Sequence, residues 1–377
     1  MTVYFLMYAA LFGMTWYAEK KKLPQKRSVH LVSILFGVLL TLIVGLRHPS
    51  MGSDLEYGEY YGYLFEFGNL QQFSLVEMVF MEPYLNYEKG FVILNKLIGA
   101  FWNNQQFYIF CCAVLSIAPI AYTLYKESDD PLFAAVIYFG LPCFLITYSA
   151  LRQAIAVALC FASLIYLRRK DLVRFAALVI LASTMHSSAL VFLVAYPLYH
   201  IRLSQKLRLA SIIALPVVFV LRTPIFMLFA GLFREGAQPD NNGAYQLFLV
   251  FVLIYIFCIV FAQRDARVEG YLNIFYFACV IQAMGGIYSI VVRLGYYFMI
   301  ALPLLLPRVV KTMRIPKAFY TWNLPWTWLK TPEAEVWICK AAKTAIYVCF
   351  VAFGLYSIWV SGTDWAMAYP YRFFWQQ

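Results

Sequence analysis

The sequence predicts an all-α, polytopic integral membrane protein of about 12 transmembrane helices, and three observations lead there. Hydrophobic residues make up 63% of the chain and charged ones only 13%, with a mean hydropathy of +0.70, outside the range of water-soluble domains. The 30 Lys and Arg and 19 Asp and Glu side chains can all be placed outside the apolar stretches. Those stretches are apolar all round rather than alternating, which excludes barrel strands and leaves helices.

A helix needs about 20 residues to cross hydrocarbon. Candidate spans lie near residues 2–17, 30–47, 106–125, 131–148, 152–168, 172–185, 188–200, 207–221, 244–263, 271–290, 294–310 and 344–361. With both termini outside, the inner connections hold 22 basic against 9 acidic residues, so the net charge of +11 is an inner-side excess and calls for no nucleic-acid partner. The first apolar run has no basic residue ahead of it and is followed by Lys20, Lys21 and Lys22, the pattern of an uncleaved first span. Cys111, Cys112, Cys143, Cys160, Cys258, Cys279, Cys339 and Cys349 fall in spans or on the inner side, with no disulfide or zinc spacing. No internal repeat divides the chain. Residues 1–377 are therefore expected to form one integrated transmembrane domain with two additions. One is an outer segment, 47–104; the other is an inner connector, 308–343, whose Trp322, Trp326 and Trp328 suit an interfacial anchor.

The outer segment carries seven carboxylates, Asp54, Glu56, Glu59, Glu66, Glu77, Glu82 and Glu88. Its apolar tail, 91–102, is too short to span and is expected to be re-entrant or to lie on the outer surface. On a helix, Asp54, Tyr57 and Tyr61 would share a face, and acids beside rings suit a sugar, whose hydroxyls meet carboxylates and whose apolar faces stack on aromatics. A solvated acidic helix with interfacial tyrosines explains the same residues.

A second constellation is expected at the outer ends of three inward-running spans, opened by Arg152, by His186 with Ser187 and Ser188, and by Arg293. Helix N-termini expose unpaired N–H groups and the positive end of the macrodipole, and an added guanidinium makes an anion site suited to phosphate. Arg47 joins them from the end of the second span. Snorkelling to lipid head groups is the alternative for each arginine. His186 can take or give a proton on that side. Tyr296 and Tyr297 beside Arg293, and Tyr369, Tyr371 and Arg372 near the C-terminus, are candidates to line the same cavity.

In order along the chain, GLRHPSMGSDLEYGEYY (Gly45 to Tyr61), YEKGFVILNKLI (Tyr87 to Ile98), LRQAIAVAL (Leu151 to Leu159), MHSSALVF (Met185 to Phe192) and, more weakly, VVRLGYYF (Val291 to Phe298) resemble the EpsG family of bacterial polysaccharide polymerases, the group that includes many Wzy-type O-antigen and capsule polymerases. Gly52, Ser53 and Asp54 stand where the family commonly has Gly-Thr-Asp. The resemblance implies a fold like that of C-type glycosyltransferases and a multi-pass place in the bacterial inner membrane, with periplasmic termini. It implies transfer of a growing glycan from undecaprenyl diphosphate to a hydroxyl of another lipid-linked unit, with a chain-length regulator as a further partner. Arg152, Arg293 and Arg47 are then assigned to the diphosphate, and His186 or Asp54, with Glu88 behind them, to the base. Glu56, Tyr57, Tyr61, Tyr296 and Tyr297 are assigned to the glycan. No cofactor is called for, and no His/Cys cluster offers a metal site. A glycan ligase or a polyprenyl-phosphate-dependent glycosyltransferase would use the same groups. A flippase or transporter would instead show charged or broken helices at mid-membrane depth and symmetric halves.

Overall fold

A computed structural model describes residues 1–56, 61–80, 87–233, 245–287, 289–314 and 331–376. The described residues are almost entirely helical and divide into two units, Met1–Leu193 with Val348–Gln377, and Val194–Tyr347. Trp322, Trp326 and Trp328 of the expected anchor lie outside the described residues.

In the first unit, α1 (Thr2–Lys20) and α2 (Gln25–Gly45) lead into an outer segment of three short helices, α3 (Tyr63–Leu70), α4 (Leu75–Phe80) and α5 (Lys89–Phe101). Then come α6 (Gln105–Glu127), α7 (Pro131–Gly140), α8 (Pro142–Leu145), α9 (Leu151–Arg168) and α10 (Leu172–Met185). The loops announce these starts. Asn104, Asp130 and Asp171 each accept a hydrogen bond from a backbone N–H three residues on, and Pro131 sits where its missing N–H costs nothing. Packing runs α2 on α6, α6 on α9 and α9 on α10, with α5 resting on α10. Apolar residues of the outer segment, Leu55, Tyr63, Phe67 and Phe91, join Tyr108 and Ile109 of α6 and Leu151 and Ile155 of α9 in one core. That core fixes the outer segment to the start of α9.

In the second unit, α15 (Ala266–Ala283) is packed by α11 (Ala195–His200), α12 (Gln205–Val220), α14 (Gln246–Phe261), α16 (Ser289–Met299) and α17 (Leu302–Thr312). A further helix, α13 (Arg222–Phe233), follows α12. Asp265 caps α15 through the N–H groups of Arg267 and Val268, and its Oδ2 accepts from Arg308 at 2.8 and 2.9 Å. The last helix, α18, runs Pro332–Thr363.

Among the described residues, four helices are long and apolar enough to cross a membrane, or up to six if two bent pairs each count as one span. The count of about 12 exceeds this because several expected spans are short or interrupted. The stretch 131–148 breaks at Leu141, between Gly140 and Pro142, and all ten residues of α7 are buried, so this apolar run is protein core. The pairs α12/α13 and α16/α17 bend by 76° and 45°.

Three expectations about outer-side residues change. Asp54 sits in a turn rather than on a helix, so no helical face joins it to Tyr61; Tyr57 lies outside the described residues. Arg293 is the fifth residue of α16, because that helix starts a turn earlier, at Ser289. Arg47 is wholly buried, 0% exposed, which revises its role as a third diphosphate cation. Its Nη1 donates to Val44 O at 2.7 Å, its Nη2 to Tyr148 O at 3.1 Å and its Nε to Met51 O at 3.2 Å, and the Tyr148 ring lies 5.0 Å away.

The C-terminal segment closes over the same place. Arg47 pairs with Phe373 in an isolated antiparallel bridge, His48 N–H donates to Arg372 O at 2.9 Å and Phe374 N–H to Leu46 O at 3.0 Å. Arg47→Ala leaves buried carbonyls without donors and should cost on the order of 3 kcal/mol. The expected result is a melting temperature in detergent lowered by several degrees. Unchanged melting with lost activity would return Arg47 to the ligand.

Candidate functional site

The four residues Tyr87, Glu88, Lys89 and Gly90 open α5 against the ends of α9 and α10. Glu88 occupies the N-cap position, yet its carboxylate does not cap α5. It reaches across instead. Oε2 accepts from Arg152 Nη1 at 2.7 Å, and Oε1 accepts from the Ser187 backbone N–H at 2.7 Å. His186 Nδ1 lies 3.2 Å from Oε1, close enough for a charge pair but off the line of a hydrogen bond. One carboxylate thus holds residues from two helix ends. Gly90 permits this approach: a Cβ there would run into Thr184 near the end of α10.

Arg152 is the second residue of α9, where the helix N-terminus repels a cation unless a counter-charge compensates it. Glu88 is that counter-charge. The guanidinium also lies 4.4 Å from the Tyr87 ring centroid, and its Nε donates a long bond of 3.4 Å to Tyr63 Oη. Tyr63, Tyr87 and Phe91 pack on one another at centroid distances of 5.7 to 5.8 Å. The result is an aromatic cradle under a cation that is only 20% exposed.

Burial alone would raise the Glu88 carboxyl, but His186, the backbone N–H groups of Ser187 and Glu88 itself, and the Arg152 charge outweigh it and hold the group well below the usual carboxylate range. Tyr63 moves the other way: burial raises its phenol, and Arg152 only partly offsets this. Glu88 therefore stays ionised at neutral pH and can serve as the counter-charge to Arg152.

His186 stands at a junction: it follows the last residue of α10 and directly precedes the 3-10 helix Ser187–Val194, which runs on into α11. Asp54 comes next to this group through Tyr63, whose N–H donates to Asp54 O at 2.9 Å. The Ser53 hydroxyl lies 3.0 Å from Asp54 Oδ1 and 2.6 Å from Trp365 O. Gly52, at φ +114°, makes this turn possible, since a Cβ would strike the Tyr148 carbonyl. Glu56 and Tyr61 are exposed on the outer segment, Glu77 is taken up in a capping box with Ser74 on α4, and Glu59 and Glu82 lie outside the described residues. Arg293, Tyr296 and Tyr297 belong to the second unit, where Arg293 is exposed and both tyrosines are buried. Of the C-terminal candidates, Tyr371 donates to Ile43 O at 2.8 Å, and the Arg372 N–H points at Met51 Sδ. Among the described residues, no three His, Cys, Asp or Glu side chains gather as a metal site would require.

Sequence reasoning overlooked Tyr63 and the cradle role of Tyr87. The available signal was an aromatic residue directly before the acid in YEKG. The EpsG family matches the chain over residues 30–321, which takes in Asp54, Glu88, Arg152 and His186. No curated protein and no solved structure matches.

The depressed Glu88 carboxyl gives a pH test. A group lowered on folding contributes stability that is complete above the ordinary Glu pKa of about 4.3 and is lost as pH falls through the folded value. The stability difference between wild type and Glu88→Gln should not diminish between about pH 7 and pH 5, and should shrink only in stronger acid. Thermal melts across that range check it; a difference already falling by about pH 5 would contradict the ion-pair geometry.

Proposed function

The chain belongs to the EpsG family, and from that premise we propose that it is a membrane polysaccharide polymerase acting on lipid-linked glycans at the outer face of the bacterial inner membrane. The donor is a growing glycan on undecaprenyl diphosphate; the acceptor is a hydroxyl of another lipid-linked unit. The single observation behind this reading is that one ionised carboxylate, Glu88, pairs with a guanidinium and lies 3.2 Å from an imidazole. A transfer of this kind needs those two groups together.

In the reaction, the acceptor oxygen forms a bond to the anomeric carbon as the bond from that carbon to the diphosphate oxygen breaks. Charge builds on the departing diphosphate, and Arg152 at the start of α9 stabilises it together with the helix N-terminus. His186 takes the acceptor proton. With Nδ1 turned to Glu88, its Nε2 is the nitrogen that accepts, and the carboxylate steadies the imidazolium that results. A small ring rotation brings Nδ1 into line, as catalytic contacts commonly tighten once substrate is bound. Asp54, beside Tyr63, orients the acceptor sugar with Glu56 and Tyr61, and Asp54 is the reserve base if His186 proves dispensable.

Mass spectrometry of lipids bound to the purified chain tests the substrate class: undecaprenyl-diphosphate glycans are expected, and small anions alone would favour a transporter. Arg152→Ala should abolish polymer while the protein accumulates normally in the membrane, whereas polymer of wild-type length would remove Arg152 from the reaction. His186→Ala should lower turnover by roughly a hundredfold or more with little change in donor affinity. Unchanged turnover would leave Asp54 as the base.

A further inference from the structure

Away from the Glu88 group, on the other side of α6, a groove of about 540 Å³ runs between α2 and α6. Its walls include Gly37, Val38, Leu42 and Ala118, and its rim side chains Ile34, Val38 and Tyr122 are exposed along two helices that are each long and apolar enough to cross a membrane. Apart from Thr41 at the far end, the polar groups gather at one end. There His30 meets the Tyr125 ring at 5.0 Å, and the Lys126 ammonium lies 5.0 Å from the Tyr125 ring and 5.5 Å from that of Tyr122. Arg27 and Lys20 to Lys22 belong to the same end of α1 and α2, whereas Glu127 is buried against Arg168 at 3.0 Å. A cation therefore stands over the mouth of an apolar slot.

A second feature lies just inside the mouth. Ser33 lines the groove, is 4% exposed, and its hydroxyl has no hydrogen-bond partner among the described residues. A buried hydroxyl without a partner is costly in the interior, and a helical serine can usually bond to the preceding turn. This one faces the groove instead.

We propose that the groove binds an anionic phospholipid, with its phosphate at Lys126 and His30, a glycerol ester carbonyl accepting from Ser33, and one acyl chain along α2 and α6. The dimensions agree. From His30 to Leu42 the groove follows 12 residues of α2, about 18 Å at the helical rise, against about 15 Å for half a hydrocarbon core. Ser33 is three residues deeper than His30, about 4.5 Å, the depth at which ester groups follow a phosphate. The inference is independent of the polymerase reading.

Native mass spectrometry of the full chain, offered equal amounts of dioleoylphosphatidylglycerol and dioleoylphosphatidylcholine, tests it. Wild type should retain the anionic lipid preferentially, and Lys126→Gln should weaken that preference by about fivefold, the effect of one cation near a head group. Ala118→Trp, at an exposed alanine of the groove wall, should abolish retention of both lipids. Arg174→Gln, outside the groove, should change nothing. Equal retention of the two lipids by wild type, a preference that survives both Lys126→Gln and Ala118→Trp, or displacement of the phospholipid by an equal amount of undecaprenyl phosphate would overturn the assignment.

Discussion

The outer side of the first unit depends on a carboxylate placed where three chain segments meet. Glu88 leaves its own helix uncapped and satisfies the positive start of α9 through Arg152, and the backbone after α10 through Ser187. An arginine in the first turn of a helix is unfavourable by itself, and a carboxylate half-withdrawn from water is unfavourable by itself. Each removes the other's penalty, and the aromatic faces of Tyr63 and Tyr87 exclude water from the pair. The geometry of any ligand site here follows from that mutual requirement. Gly90 is part of it, because any side chain there would push α5 off Thr184 and carry Glu88 away.

Beneath the neighbouring turn, Arg47 plays the opposite part. Its charge is directed inward to carbonyls of Val44, Met51 and Tyr148, tying the end of α2 to the turn that carries Asp54 and to the residues leading into α9. The C-terminal segment then seals it through the bridge to Phe373 and the Trp365 carbonyl. Arg47 thus spends its charge on backbone carbonyls, whereas Arg152 meets a carboxylate and stays partly exposed. Burial distinguishes them.

Much of the helical layout was legible in the sequence, because apolar runs bounded by Asn104, Asp130 and Asp171 state where helices begin. The number of spans was not, since an apolar run says nothing of whether it meets lipid or protein, and α7 is wholly buried. In the candidate site, Arg152 was placed at a helix start from the boundary of its apolar run, and α9 begins there. The partnership of Glu88 with Arg152 and His186 was not visible, because residues 64 and 98 positions apart meet only through packing of the outer segment. Arg47 misled for a related reason: a cation at a span boundary looks the same whether it faces ligand or folds back onto carbonyls.

The central claim is that Glu88 makes Arg152 and His186 one working unit, and a double-mutant cycle on turnover tests it most directly. Glu88→Gln, His186→Ala and the double variant would be purified and compared with lipid-linked repeat units as substrate. Residues acting as one unit are strongly non-additive, so the double variant should be little slower than the slower single one. Losses that multiply in the double variant would show that the carboxylate and the imidazole act separately, and the account would fail.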